Sequence, residues 1–584
     1  SVSAFLLNRS SDLEIGVTRL SDQGFGGDGE LTFGLTRFDS KYFDFDGRSF
    51  VADSSDFILY DQDGTTRAFL AENYRSNVDL ASKVVRYEYL DEESHLDFPL
   101  NQFLCSLNQA EWDMATNNIH LSGDASEFVS LLPEHDSLSF LSTNADYDMN
   151  DYLIHAHGVR CIRVADAEIM PWDGNVEIQR NAALSPLEHA TIVADTVNRA
   201  HEYKDAAVSI YSRHDYSALG YKDYIDSEGI ATPLFFDVIG PVDSVTVAHA
   251  EVPDSLGFML SPYFGFQGEI TSTASNPHDS YEGFFRLEQS CLEDTVWFAA
   301  STEIDPSKVT IPVDMDKVRK VRQGLFNGLC YEFGSKGGYH VNFMKPMNPE
   351  TVVVTMQNGE MSYDEERKQY VVSDEKHTLT LDDRCVTMMQ GASDLGFDSG
   401  LAEFACYGDY VNYPNDSLTI EVLNVFHAPV FDNQVLADIA AIYAAVEGEA
   451  VDLTKTGYVD YVRTEQGEAA AAQLQTDMEL TAYPEIASGT FYDKTIVIPS
   501  LKMVWNPELR AFVSVGKIGI GSLGGHIVNR YVDGYVMFDR RLGVITYFFK
   551  NDLFMTYINY NCGDGQLQVH ATYGTVNTRL SDLS

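Results

Sequence analysis

The chain has 584 residues, 44% of them hydrophobic and 12% aromatic, which excludes a disordered polypeptide and leaves ample material for a buried core. Its 88 acidic residues outnumber 39 basic ones for a net charge of −49, a balance that repels phosphate backbones and excludes nucleic acid as the expected partner. The 32 tyrosines and 34 phenylalanines favour strands over helices.

Residues 1–105 form an N-terminal β region of alternating apolar pieces and turns. Ser1–Leu7 already reads as a strand, so the chain is expected to be part of a longer polypeptide. Phe57-Ile-Leu-Tyr60 and Arg67-Ala-Phe-Leu70 flank Asp61-Gln-Asp-Gly64, a hairpin signal. The Asp61/Asp63 pair has part of a calcium-loop spacing. Leu59 and Leu70 stand where further ligands belong, so a turn is expected.

Residues 106–240 carry a repeat. Ala110–Gly123 recurs as Ala145–Gly158, matching Trp112 with Tyr147, Asp113 with Asp148, Met114 with Met149, Ile119 with Ile154, His120 with His155, and Gly123 with Gly158. Such self-similarity announces stacked architectures. Beyond it, Val159–Met170, Pro171-Trp-Asp-Gly174 and Asn175–Ile178 read as strand, Asp-Gly turn, strand, and a degenerate third copy is read at Ala206–Gly220. The repeat contains a shorter device: an aromatic residue, then Asp or Asn, then an apolar residue seven after the aromatic. It is read at Phe38…Phe45, Trp112…Ile119, Tyr147…Ile154, Tyr363…Tyr370, Trp505…Phe512 and Phe538…Ile545. Its physical sense is a hairpin: the aromatic ends one strand, the carboxylate or amide turns the chain, and the apolar residue completes a cross-strand pair.

Residues 241–431 continue as a β region, with strands expected at Val352–Met356, Gln369–Val372 and Leu418–Leu423 and no helical period sustained over three turns. At 432–482 the texture changes to an α-helical insert. Val435, Leu436, Ile439, Ile442, Tyr443 and Val446 recur at helical spacing, with Asp432 or Asn433 as cap and Gly448 as stop, and Glu465–Leu480 is a second helix. Residues 483–584 return to strands as a C-terminal β module.

Several constellations have the letters of a chemistry without its context. His155 and His157 share one strand face, but His120 occupies the equivalent place in the first copy, so they read as a repeat position. Gly519-Ile-Gly-Ser-Leu-Gly524 matches a dinucleotide fingerprint, yet the alternating residues after it read as a strand where a helix is required. Ser212-Arg-His-Asp215 is too compact for a nucleophilic triad. The seven cysteines show no metal-ligand spacing and leave room for one or two disulfides. No metal, cofactor or catalytic residue is expected, and no run is long and apolar enough for a spanning helix. The candidate binding residues are the aromatic stripe, Trp112, Ile119, Tyr147 and Ile154, either as core or as the lining of an apolar groove.

The pattern Ala-x-aromatic-Asp…Ile over residues 110–240 resembles the jelly-roll repeats of the lipopolysaccharide-transport (organic-solvent-tolerance) family, which implies stacked curved strands forming a periplasmic trough for lipid. Cys161–Pro171, Leu260–Gly268, Ile304-Asp-Pro306, Val504-Trp-Asn506, Gly516–Ile520 and Tyr531–Tyr535 are similar to a family of very large exported proteins of Bacteroidota that has no assigned activity. The expected fold is therefore all-β and mostly antiparallel, an elongated stack of hairpin or jelly-roll-like repeats with one α-helical insert. The expected role is a non-enzymatic, exported cell-envelope scaffold or bridge, in the periplasm or at the outer membrane, with lipid or outer-membrane proteins as partners and a lipid trough as its most specific form. The alternatives are an acidic binding or adhesion module and a carbohydrate-acting β-solenoid enzyme.

Overall fold

The computed structural model of the chain describes residues 11–22, 24–91, 94–106, 108–291, 296–321, 324–334, 337–429, 433–480 and 494–573. The expected strand Ser1–Leu7 and the cap Asp432 lie outside them. The fold is antiparallel β with a helical insert, divided into two compact units: residues 1–258 with 267–281, and residues 259–266 with 282–584.

In the first unit, long strands bend and take part in two sheet layers. Thr36–Asp46 and Ser49–Tyr60 pair along their whole length, while Arg67–Asp79 pairs His95–Phe98 through its first half and Val84–Tyr89 through its second. The bends are hydrogen-bonded by serines. Ser40 Oγ donates to the Asp53 carbonyl at 2.7 Å, and Ser142 Oγ to the His157 carbonyl at 2.8 Å, so backbone acceptors freed at the bend stay satisfied.

Each layer carries one unbroken interior row of paired residues. One row runs Phe25, Phe45, Phe50, Val78, Val85, Trp112, Ile119, Tyr147, Ile154, Ile178. The other runs Leu31, Phe38, Phe57, Ala71, Leu96, Cys105, Phe128, Phe140, Ile162, Ile169, Ile192, Tyr203. Rings of the two rows meet across the interior, Phe38 with Phe50 at 5.3 Å and Phe57 with Trp112 at 6.0 Å, and Phe98, two residues beyond Leu96 on the same strand, meets Tyr147 at 5.0 Å. Contacts of this geometry add to area burial and lock the layers' facing.

The eight-residue device is the hairpin that builds these rows. Trp112 pairs Ile119, Tyr147 pairs Ile154, Tyr363 pairs Tyr370, Trp505 pairs Phe512, and Phe538 pairs Ile545. In each, the second residue's side-chain oxygen accepts a backbone N–H within the turn, as Asp113 does from Ala115 at 2.8 Å and Asn506 from Leu509 at 2.9 Å. The sixth residue is left-handed in every case: Asn117, Tyr152, Lys368, Arg510 and Gly543 have φ between 52° and 64°. The same geometry recurs at Val78–Val85, Ala194–His201 and Tyr560–Leu567, with Lys83, Arg199 and Gly565 left-handed. Phe38…Phe45 is different: both residues lie on the single strand Thr36–Asp46. The third copy, Ala206–Gly220, is a hairpin turned at Arg213–His214 without the device. The Asp-Gly turn at Asp173-Gly174 does not close a hairpin either. Ala167–Met170 pairs Leu187–Ala194 while Val176–Ile178 pairs Leu153–His157, so this turn carries the chain from one layer to the other.

In the second unit one row crosses six strands, Trp505, Phe512, Phe538, Ile545, Tyr560 and Leu567. The insert contains the helices Asn433–Ala444, Tyr458–Gln466 and Glu468–Leu480. The middle one has no clear sequence signal, because only Tyr458, Tyr461 and Val462 mark its buried face. They pack with Leu474 and Met478 on Tyr407, Leu423, Val425 and Val497 of the sheet. A further helix, Met315–Val321, spans two turns, too short for periodicity to reveal. Cys291 and Cys385 form a disulfide within this unit.

Candidate functional site

The bend of the strands returns both their ends to one side, and there the turns of the two layers face each other across a cavity of about 780 Å³. One layer supplies Phe33–Thr36 and Leu59–Gln62. The other supplies Gly47-Arg48, Leu80, Ala81, Lys83, Trp112, Met114, Asn117, Met149 and Tyr152. Backbone bonds stitch successive turns into a wall: Leu80 N–H to the Arg48 carbonyl at 2.9 Å, Met114 to Lys83 at 3.0 Å, and Met149 to Asn117 at 3.1 Å. The device thus has a second consequence. Its third and sixth positions, Met114, Met149, Lys83, Asn117 and Tyr152, are delivered to the same wall.

A bond between the layers closes one end. Tyr152 Oη donates to Asp61, whose carboxylate also takes the Gln62 N–H. The Arg180 guanidinium lies 4.9 Å over the Tyr152 ring, and burial, then the Asp61 carboxylate, pushes the phenol up to about 12, so it remains a donor. Asp61 is therefore a latch. Asp63 caps the turn by accepting from Thr65 and Thr66 N–H at 2.7 Å each, the turn expected between the two strands. Among the described residues no group of three His, Cys, Asp or Glu side chains is placed to hold a metal ion.

Of the four stripe residues, Trp112 lines the cavity, at 6% exposure, with its indole Nε1 buried and without a hydrogen-bond partner. Ile119, Tyr147 and Ile154 are fully buried in the interior row, and Tyr147 Oη donates to the Ala68 carbonyl at 3.2 Å. The cavity's apolar lining comes instead from Phe33, Leu35, Leu59, Leu80, Met114 and Met149. Methionines suit a site that adapts to a flexible apolar ligand. Arg48 and Lys83 stand on the same wall, two cations in a strongly acidic chain, while the cavity's one carboxylate, Asp61, is engaged by Tyr152.

The other sequence candidates are resolved into surface pairs. His155 lies 3.4 Å from Glu177, and His120 and His157 lie 2.8 and 3.3 Å from Asp146. His214 meets Asp136 at 2.9 Å and is not turned toward a serine nucleophile. Gly519–Gly524 runs along the strand Ile518–Leu523 into a hairpin. In the second unit a smaller cavity of about 170 Å³ gathers Asp409, Glu421 and Asp460 with Lys455. Asp409 and Glu421 are direct cross-strand partners, and burial first, then the carboxylates of Glu421 and Asp460, pushes the Asp409 carboxyl up. Neither a family model nor a curated protein matches the chain.

Proposed function

We propose that the protein is a non-enzymatic, exported β scaffold whose first unit holds one anionic amphiphile at the open side between its two layers. The carrying observation is the cavity itself: an amphipathic trough of a size suited to small-molecule binding, its apolar side chains interleaved with polar ones and with Arg48 and Lys83 on one wall. Apolar burial supplies the affinity, and the two cations select an anionic head group. The aromatic packing beyond Tyr147 favours a pocket for a single ligand over a continuous conduit. The Cys291–Cys385 disulfide supports an oxidising, extracytoplasmic location.

The test is a titration with laurate followed by tryptophan fluorescence. Saturable one-site binding is expected, with a signal lost in Trp112→Phe and affinity reduced about tenfold or more in the double variant Arg48→Glu/Lys83→Glu. Absence of saturable binding in the unmodified chain contradicts the reading. A second reading, a carbohydrate-acting enzyme, rests on Asp409: a carboxyl held up beside Glu421 has the character of an acid and its partner. Hydrolysis of an oligosaccharide that disappears in Asp409→Asn is its test.

A further inference from the structure

A second polar cluster lies inside the first unit, where nothing in the scaffold reading requires one. Lys222 stands on the strand Asp215–Ile225 opposite Leu234, a place that the neighbouring strands fill with buried side chains. Its side chain is 15% exposed and its ammonium is held by groups from three other strands, the adjacent one among them: Asp279 Oδ1 and Oδ2 at 2.7 and 2.8 Å, His201 Nδ1 at 2.7 Å, and Ser272 Oγ at 3.1 Å. His201 and Ser272 are fully or almost fully buried, Asp279 is 11% exposed, and the rings of Tyr203 and Tyr281 nearby are sealed from solvent.

The hydrogen bonds assign the protons. His201 Nε2 lies 2.6 Å from the Asn276 carbonyl, which only accepts, so Nε2 carries the hydrogen and Nδ1 presents a lone pair to Lys222. Ser272 Oγ lies 3.0 Å from that same Nδ1 and donates to Asp279 Oδ1 at 2.7 Å. A closed path therefore runs from Lys222 Nζ through His201 Nδ1 and Ser272 Oγ to Asp279 Oδ1, every step within hydrogen-bond reach.

We propose that Lys222 and Asp279 are a site of covalent cross-linking, joined by an intramolecular amide that closes on folding. The ammonium gives a proton to His201 Nδ1. The imidazolium passes it to Ser272 Oγ, which releases its own to Asp279 Oδ1, leaving a neutral amine against a carboxylic acid. The Nζ lone pair then attacks Cγ. The new N–C bond forms, the Cγ–Oδ1 bond breaks, and that oxygen departs as water with the second amine proton. An ammonium and a carboxylate thus become an amide and one water, with no oxidant or co-reactant. Burial pushes the Lys222 ammonium down, against the opposing pull of Asp279, which favours the neutral amine, and it keeps the resting His201 imidazole neutral, with its Nδ1 lone pair free to take the proton only in passing. The result ties the strand Asp215–Ile225 to Asp279–Leu287 and would suit a scaffold that resists unfolding.

Intact mass of the full chain after reduction of its disulfide tests this. The expected mass is lower than that of the sequence by one water. Proteolysis is expected to release a branched peptide containing both Lys222 and Asp279. Lys222→Met and Asp279→Ala each restore the sequence mass, and Ser272→Ala slows the gain of the cross-link in freshly refolded protein by tenfold or more. A chain of full sequence mass, or a water loss mapped to other residues, overturns the proposal. The unmodified chain alone decides the question if the variants fail to fold.

Discussion

Lys368 and Gly543 occupy the same place in the hairpin device and the same backbone conformation, with φ of 52° and 64°. An L-residue there bears a cost of about 1 kcal/mol that glycine avoids. Lys368→Gly is therefore expected to stabilise the second unit by up to about 1 kcal/mol, and Gly543→Ala to destabilise it by a similar amount, both read by chemical denaturation. The residue before the turn adds a pH dependence. Asp79, Asp113 and Asp195 are held below the usual carboxylate range, chiefly by the Ser82 side chain, the Ala115 N–H and the Val197 N–H respectively. Their contribution is present above the unfolded value, near pH 4, and is lost as pH falls through the lower folded values. His135 adds to the same direction at milder acidity. Burial pushes its imidazole down, against Glu134, so below about pH 6.5 the unfolded chain takes a proton that the folded chain refuses. His189, held up by Asp205, pulls the other way, so the His135 contribution is read by difference: His135→Leu is expected to lose less melting temperature between pH 7 and 5 than the unmodified chain, and an equal or larger loss contradicts this.

Among the elements, the hairpins were the most legible from sequence, because a buried aromatic, a turn carboxylate and an apolar partner must recur at fixed spacing for the row to continue. Tyr560-Asn561…Leu567 follows that pattern too, with Gly565 at the left-handed sixth position. Val78 and Ala194 lack the ring, so their hairpins escape a search for aromatics. The pattern also misleads at Phe38…Phe45, where a bent strand supplies the same spacing without turning back. The cavity was not legible, since its walls combine turns separated by about a hundred residues and by a layer, and Met114 and Met149 look like core. The Lys222 cluster draws on four strands between 201 and 279 for the same reason. Two perturbations measure what the elements contribute. Ile119→Ala, in the fully buried row, is expected to cost about 2–5 kcal/mol. Reduction of Cys291–Cys385, which spans 94 residues, is expected to lower the stability of the second unit by about 2–4 kcal/mol, and insensitivity to reductant contradicts that assignment.

For the whole molecule, the net charge of −49 and the cationic cavity wall act on the same ligand in opposite senses. The acidic surface slows approach of an anion, and the screening length shrinks from about 10 Å at 0.1 M salt to 3 Å at 1 M. Capture of an anionic amphiphile is therefore expected to accelerate as salt rises through the physiological range, whereas a ligand bound only through surface cations would be released. The most direct measurement is native mass spectrometry of the intact chain equilibrated with laurate and with an uncharged alkyl glycoside of equal chain length. One laurate per chain, a weaker response to the glycoside, and loss of the bound species in Arg48→Glu/Lys83→Glu are the predicted results. No retained laurate, or several copies per chain untouched by that substitution, would contradict the account.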